Sequence, residues 1–190
     1  MMRVFVAIDI EKETRESIRK LSAALQEQAD LHKGDAKWVD PDIMHMTLKF
    51  LGEIRDEQVA DVCRIVESVA ATHKCFDLDF EKVGSFGGNS AKVLWVGAGE
   101  GAEQLESLAN DIDEQLGLAG WPTETRKFEG HLTLCRIKNF IAGKKLTKLA
   151  EDYADFVAPL TAVDSVVVYQ SDLTPKGPIY TAVGNYKLQD

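Results

Sequence analysis

The chain has 190 residues, of which 45% are hydrophobic and 28% are charged, and its formal net charge is −9 at pH 7. This composition is that of an ordinary globular protein that can bury a sizeable core. The negative charge argues against a surface that coats nucleic acid broadly, and there is no run of about 18 apolar residues to predict a membrane span.

The start of the chain and its cysteines predict a cytoplasmic protein. The first residues enter a strand-like pattern directly, without the basic flank and apolar stretch of a secretion signal. Cys63, Cys75 and Cys135 follow neither disulfide nor metal spacing, which is typical of a reducing compartment. An acidic surface without a large apolar run also favours a monomer.

Strand and helix patterns alternate along the chain. In the first half, the predicted elements are a strand at 3–10, a helix at 12–30, a strand that opens at His45, a helix at 56–72 and a strand at 76–88 with a solvated acidic face. In the second half, they are a strand at 92–99, a helix at 102–116, a strand that opens at His131, a basic helix at 143–153 and two strands around a turn at 172–178.

The two halves repeat the same order of elements. His45 and His131 are 131 − 45 = 86 residues apart, and the strands around them recur at similar offsets. This predicts an internal duplication, with approximate repeats 3–98 and 92–188, inside one bilobal domain that spans 1–190. The expected fold class is α+β, with two pseudo-twofold-related lobes around a central cleft, each an antiparallel sheet with flanking helices.

The segments "HMTLKFLG" and "HLTLCRIK" both open with His-x-Thr-Leu. Along a strand, residues i and i+2 point to the same face. We therefore expect His45 to share a face with Thr47, and His131 to share a face with Thr133. If the halves are related by a twofold axis, the two imidazole–hydroxyl pairs can face each other across the cleft.

A pair of imidazoles suits a reaction that needs a general base and a general acid near neutral pH. Phosphodiester cleavage is the leading case, because one histidine can deprotonate water while the other protonates the leaving oxygen. Such chemistry needs no metal or cofactor. The two hydroxyls and Arg136 can bind the phosphate oxygens. Arg136 also belongs to a local basic island in this acidic chain, formed by Arg126, Lys127, Arg136 and Lys138.

Other interpretations of these motifs are open. A histidine pair could bind a metal, but catalytic zinc usually has a third protein ligand, and no such partner is evident. The stretch 97–102 fits the dinucleotide-binding pattern Gly-x-Gly-x-x-Gly/Ala, but no second strand ending in an acid follows it. We interpret this stretch as a turn and a helix start. His32 and His73 have no threonine at i+2, so we interpret them as structural.

In these residues and their flanks the chain resembles the 2H phosphoesterases, and within them the RNA 2',3'-cyclic phosphodiesterases, formerly called 2'-5' RNA ligases. The resemblance covers nearly the whole chain, through "RVFVAIDI", "KWVDPDIMHMTLKFLGEI", "KVLWVGAG", "FEGHLTLCRIK" and "GPIYTAVGNY". It implies hydrolysis of a terminal 2',3'-cyclic phosphate on RNA to a 2'-phosphomonoester. Family members also join tRNA halves through a 2'-5' linkage, which we treat as the reverse reaction at the same site.

The resemblance also implies roles for single residues. His45 would donate a proton to the leaving 3' oxygen, and His131 would accept one from water. The residues implied for phosphate binding are Thr47, Thr133 and Arg136. Phe50 is a candidate stacking surface for the terminal base, and a core role is equally compatible with the sequence.

The chain departs from the family pattern beside the second motif. Gly130 stands where proline is common, which could loosen how His131 is held. Cys135 stands where a small residue is usual, and alternation places it on the face of His131, although a packed position is also compatible. Two other functions stay open: a cyclic phosphodiesterase that acts on a small molecule, and a non-catalytic module that binds RNA ends.

Overall fold

The computed structural model describes residues 1–175 and 177–190. The helices in these residues are α1 (Lys12–Ala29), α2 (Val59–Ala70), α3 (Ala102–Leu118) and α4 (Phe140–Glu151). The strands are β1 (Met2–Asp9), β2 (Ala36–Trp38), β3 (His45–Ile54), β4 (Phe76–Leu78), β5 (Phe80–Phe86), β6 (Val93–Ala98), β7 (His131–Ile137), β8 (Thr161–Val163), β9 (Ser165–Thr174) and β10 (Gly177–Lys187).

Two four-stranded antiparallel sheets form the body of the protein, which confirms the predicted α+β class. The first sheet has the order β10-β9-β1-β3 and the second has the order β2-β7-β6-β5. Each sheet takes strands from both halves of the sequence, because β5 lies in the second sheet while β9 and β10 lie in the first. The halves of the sequence therefore interlock, and the two lobes of the protein are the first sheet and the second sheet, each with the helices that pack on it.

The helices bury apolar residues at the 3.6-residue spacing that the sequence predicts. Helix α1 buries Ile18, Leu21 and Leu25, and these side chains belong to one hydrophobic cluster that includes residues of both sheets. Helix α4 begins three residues earlier than expected, because the Asn139 side chain accepts hydrogen bonds from the Ile141 and Ala142 backbone N–H groups. Residues 56–58, expected to be helical, form a 3₁₀ turn before α2.

The predicted single strand at 76–88 is wrong, because it breaks at Asp79. Strand β4 pairs with β8, whereas β5 pairs with β6 in the second sheet. The Asp79 carboxylate accepts a hydrogen bond of 2.8 Å from the Glu100 backbone N–H, at the turn that precedes α3. This carboxylate occupies the turn in which a dinucleotide-binding loop would hold a pyrophosphate. The stretch 97–102 comprises the end of β6, this turn and the start of α3, so the predicted turn begins two residues later than expected.

A buried ion pair joins strand β3 to helix α3. The Lys49 ammonium is only 3% exposed and contacts the Asp113 carboxylate. It also donates a hydrogen bond of 2.7 Å to the Pro122 carbonyl. The motif strand of the first sheet is thereby fastened to a helix and a loop of the second half of the chain.

The C-terminal strands β9 and β10 are paired along their whole length. The predicted turn at 172–178 is wrong in its extent, because residues 172–174 belong to β9 and residues 177 and 178 belong to β10. Lys176 of that stretch lies outside the described residues. No helix in the part of the chain that the structure describes is long and apolar enough to cross a membrane.

Candidate active site

Both motif histidines are held through the same ring nitrogen. Nδ1 of His45 lies 3.1 Å from the Ile43 carbonyl oxygen, and Nδ1 of His131 lies 2.7 Å from the Glu129 carbonyl oxygen. Because a carbonyl can only accept, Nδ1 is the N–H donor in both rings. The lone pair of each neutral imidazole is therefore on Nε2, which is the atom left to take up or release a proton.

The loop before His45 is fixed by an arginine. Residues Pro41–Ile43 form a 3₁₀ turn that is capped by the Asp40 carboxylate, which accepts a hydrogen bond of 3.0 Å from the Asp42 backbone N–H. The Arg15 guanidinium of α1 donates to the carbonyls of Pro41 and Asp42, at 2.8 and 2.7 Å. The position of the Ile43 carbonyl, and through it the His45 ring, is set by these contacts.

Aromatic rings surround His45. Phe5 stacks on its imidazole with 4.6 Å between ring centroids, and Tyr180 meets the imidazole edge-on at 5.0 Å. Tyr169 lies 6.1 Å away and stacks on Phe5. Burial among these rings lowers the pKa of His45, while the charge of Asp9 opposes that shift.

The surroundings of His131 are less enclosed. Phe86 meets its imidazole edge-on at 5.0 Å, and Trp95 is tilted at 6.2 Å. Gly130 leaves little room for a side chain, since a Cβ there would lie 2.7 Å from Leu105, and its carbonyl accepts a hydrogen bond of 2.9 Å from Ala98. A glycine at this position thus allows a close fit beside His131 rather than a loose one.

Each imidazole borders its own cavity. The cavity beside His45 has a volume of about 520 Å³ and is lined also by Asp9 and Arg15. The cavity beside His131 has a volume of about 530 Å³ and is lined also by Trp95 and Phe128. A larger cavity of about 720 Å³ lies between α2 and α3, and neither motif lines it. We therefore centre the site on the two histidine cavities rather than on this larger one.

A β-bulge follows the threonine in each motif strand. Thr47 pairs with Ala7 and Lys49 pairs with Val6, so one extra residue lies between the two pairs. The second strand repeats this at Thr133, which pairs with Trp95, and Cys135, which pairs with Leu94. The side chains of Lys49 and Cys135 therefore point into the interior. The side chains of the next residues, Phe50 and Arg136, lie on the same strand face as the motif threonine.

The bulges correct two expectations drawn from strict alternation. Cys135 does not line the site: it is fully buried, and burial raises the pKa of its thiol to about 12. Phe50 pairs with Phe5, the residue that stacks on His45. The Phe50 side chain is 46% exposed, so it does not have the core role that the sequence left open. Arg136 likewise comes to the face of Thr133 and is exposed.

Arginines from both sheets converge near Tyr180. Burial raises the pKa of the Tyr180 hydroxyl, and the guanidinium groups of Arg3 and Arg136 oppose that rise. Arg3 lies in β1 of the first sheet, with its guanidinium 4.9 Å from the Phe50 ring centroid, whereas Arg136 lies in β7 of the second sheet. Each sheet therefore supplies one cationic group that acts on the Tyr180 hydroxyl.

The remaining histidines and acids of the described residues form no comparable site. His73 contacts the Asp111 carboxylate at 2.8 Å, away from both motifs. Within residues 1–175 and 177–190, no three His, Cys, Asp or Glu side chains are grouped so that they could hold a metal ion. Of the basic island, Lys127 pairs with Glu106 at 3.3 Å.

The residues that the sequence left unassigned around the site are Arg3, Phe5, Asp9, Phe86, Trp95, Tyr169 and Tyr180. Alternation in "RVFVAIDI" puts the first three on one face, but only the pairing of β1 with β3 shows that this face is the one that carries His45. The two tyrosines reach the site through pairing between distant strands, for which the sequence carries no local signal.

The chain is similar in sequence and fold to known phosphoesterases. The family profile described as LigT like Phosphoesterase matches it twice, over residues 8–95 and 96–180. An "RNA 2',3'-cyclic phosphodiesterase" of Aquifex aeolicus (strain VF5) is 32% identical over 92% of this chain and 93% of its own length. A protein of the same name from Archaeoglobus fulgidus is 34% identical over 94% of this chain and 96% of its own length.

The fold is also similar to that of a solved structure. The crystal structure of E. coli LigT in apo form has a TM-score of 0.75 at 24% identity, and the match covers 100% of this chain and 98% of that one. The chain therefore belongs to the LigT-like phosphoesterase family.

Proposed function

We propose that this protein hydrolyses the terminal 2',3'-cyclic phosphate of RNA to a 2'-phosphomonoester. The observation that carries the proposal is the matched pair of imidazoles, each bound through Nδ1 to the carbonyl two residues before it, with no hydrogen bond to either Nε2 from the residues that the structure describes. The relatives from Aquifex aeolicus and Archaeoglobus fulgidus carry the name of this activity and match this chain over 93% and 96% of their own length.

The proposed reaction is an acid–base displacement at phosphorus. Nε2 of His131 accepts a proton from water as the water oxygen bonds to phosphorus, and the bond from phosphorus to the 3' oxygen breaks. Nε2 of His45 donates its proton to that 3' oxygen, so the products are a 3'-hydroxyl and a 2'-phosphate. A productive His45 is therefore protonated and a productive His131 is neutral.

Thr47, Thr133 and Arg136 are proposed to bind the phosphate oxygens. Both hydroxyls lie on the same strand faces as the catalytic imidazoles, and the bulge brings Arg136 to the face of Thr133. Donors aimed at the phosphate become more stabilising as its charge rises in the transition state. The reaction in this form needs no metal, which a chelator can test directly.

The proposed ligation is not the reverse of this hydrolysis, as the sequence analysis treats it, but a parallel reaction in which a 5'-hydroxyl replaces water as the nucleophile. The same bond to the 3' oxygen breaks and a 2'-5' phosphodiester forms, with the two histidines moving the same protons. The internal duplication remains part of the proposal, and the two matches of the family profile support it.

The proposed substrate class is tested by comparing kcat/KM for a short RNA with a 2',3'-cyclic phosphate end and for the matching cyclic mononucleotide. We expect the RNA to be the better substrate and the product to carry the phosphate on the 2' oxygen. Preference for the mononucleotide, or a 3'-phosphate product, would contradict the proposal.

A further inference from the structure

The two motif strands differ at the residue that pairs with each catalytic histidine. Across the first sheet, His45 pairs with Asp9, whereas across the second sheet His131 pairs with Gly97. Directly opposed residues of antiparallel strands have Cβ atoms about 4.5–5.5 Å apart. The two lobes thus place a carboxylate opposite one imidazole and no side chain opposite the other.

A second polar group differs in the same way. The Tyr169 hydroxyl donates a hydrogen bond of 2.8 Å to Oδ1 of Asp9. In the second lobe the residue equivalent to Tyr169 is Phe86. Tyr169 pairs with Phe5, four residues before Asp9, and Phe86 pairs with Val93, four residues before Gly97. Phe86 has no hydroxyl, so both members of the Asp9–Tyr169 pair are missing beside His131.

Most of the other charged groups that face the two histidines are engaged with other partners. The groups that face His45 are Asp9 of β1, Arg15 of α1, Asp42 of the 3₁₀ turn, Tyr169 of β9 and Tyr180 of β10. Arg15 donates to backbone carbonyls, and Asp42 contacts Arg19 at 2.6 Å. The charged groups that line the His131 cavity are Glu81, Lys82, Glu106, Lys127 and Glu129. Glu81 is paired with Lys82 at 2.6 Å and Glu106 with Lys127 at 3.3 Å.

We infer that Asp9, held by Tyr169, is a positioning residue that selects His45 as the proton donor, and that Gly97 leaves His131 free to be the proton acceptor. A nearby negative charge favours the protonated imidazole, whereas burial among Phe5, Tyr169 and Tyr180 disfavours it. The carboxylate therefore offsets part of the cost of burying the charged form of His45. The inference rests on the proposed function and gives a physical reason for the division of roles.

The inference predicts an effect of Asp9→Asn that depends on pH. In alkaline solution, turnover is limited by the protonated fraction of His45. If His45 of Asp9→Asn titrates about 0.5–1 pH unit lower than in the wild type, kcat/KM there should fall about 3- to 10-fold. In acidic solution His45 is protonated in both proteins, and kcat/KM should match that of the wild type. An equal loss at every pH, as a purely structural role would give, overturns the inference.

The reciprocal substitution tests the role of Gly97 opposite His131. Gly97→Asp puts a carboxylate opposite His131, which should favour its protonated form and lower kcat/KM in acidic solution while sparing alkaline activity. Gly97→Asn is the isosteric neutral control, because a Cβ at this position approaches Trp95 at 3.1 Å in either variant. Identical pH profiles for the two Gly97 variants would contradict the inference.

A measurement that does not depend on turnover separates this inference from the proposed function. Proton NMR titration of the imidazole signals, assigned with single His→Ala variants, should show His45 titrating at lower pH in Asp9→Asn and in Tyr169→Phe than in the wild type. An unchanged His45 titration overturns the role of Asp9 even if RNA is hydrolysed. A shifted titration in a protein that does not turn over the RNA would instead overturn the proposed function and leave the effect of Asp9 on His45 intact.

Discussion

Phe50 and Arg136 occupy equivalent positions in the two motif strands. Each is the third residue after the motif threonine, and each reaches the threonine's face because a β-bulge intervenes. The first lobe thus offers an aromatic ring where the second offers a guanidinium. This pairing suits a terminal nucleotide, whose base and phosphate need a stacking surface and a charge-assisted donor.

Phe50→Leu should weaken binding of the RNA end with little loss of stability. Stacking of a base on an aromatic ring contributes about 1–3 kcal/mol, so KM should rise on the order of 10-fold while kcat changes little. The 46% exposure of the side chain argues against a large effect on folding. Steady-state kinetics checks this, with a cyclic-phosphate substrate that lacks the terminal base as control. A similar rise in KM for the control substrate would count against stacking.

Arg136→Gln should act mainly on the chemical step. Loss of one preorganised donor to a developing charge costs about 10²–10³ in kcat. Arg136→Lys keeps the charge but loses the two-pronged geometry, so it should recover only part of the activity. If Arg136→Gln and the wild type have the same kcat, the guanidinium does not contact the phosphate in the transition state.

In the proposed mechanism His45 must be protonated, so the activity should fall in alkaline solution. Burial holds the pKa of this imidazole below its usual range, so the protonated fraction in the free enzyme should begin to fall at a lower pH than that of an ordinary histidine. Bound phosphate, being an anion, raises the pKa of His45. We therefore expect kcat to persist to higher pH than kcat/KM, and coincident alkaline limbs would contradict this.

Lys49→Met should destabilise the protein on the order of 3 kcal/mol, because it leaves the Asp113 carboxylate without its buried partner. Urea denaturation followed by circular dichroism gives the free energy of unfolding. The double variant Lys49→Met/Asp113→Leu, which removes both charges, should recover much of the loss. A Lys49→Met protein as stable as the wild type would show that this ion pair does not stabilise the packing of strand β3 against helix α3.

The parts of the site that the sequence predicts are those encoded locally. His45, Thr47, His131 and Thr133 follow from a repeated tetrapeptide, and the fold class follows from the order of helix and strand patterns. The inward turn of Cys135 depends on a bulge, which strict alternation cannot anticipate.

The pairing of Asp9 with His45 could not be predicted for a related reason. It depends on which strands are neighbours and in what register, and that is set by contacts between residues far apart in the chain. The break at Asp79 has the same origin, since the carboxylate accepts a hydrogen bond from the Glu100 backbone N–H, which lies beyond the next two strands in the chain.

The most direct test of the account is turnover of a short RNA with a 2',3'-cyclic phosphate end, in excess chelator, by the wild type, His45→Ala and His131→Ala. We predict a 2'-phosphate product from the wild type and a kcat lower by about 10²–10⁴ in each folded variant. Wild-type turnover that needs an added metal, or full activity in either variant, would contradict the two-histidine mechanism.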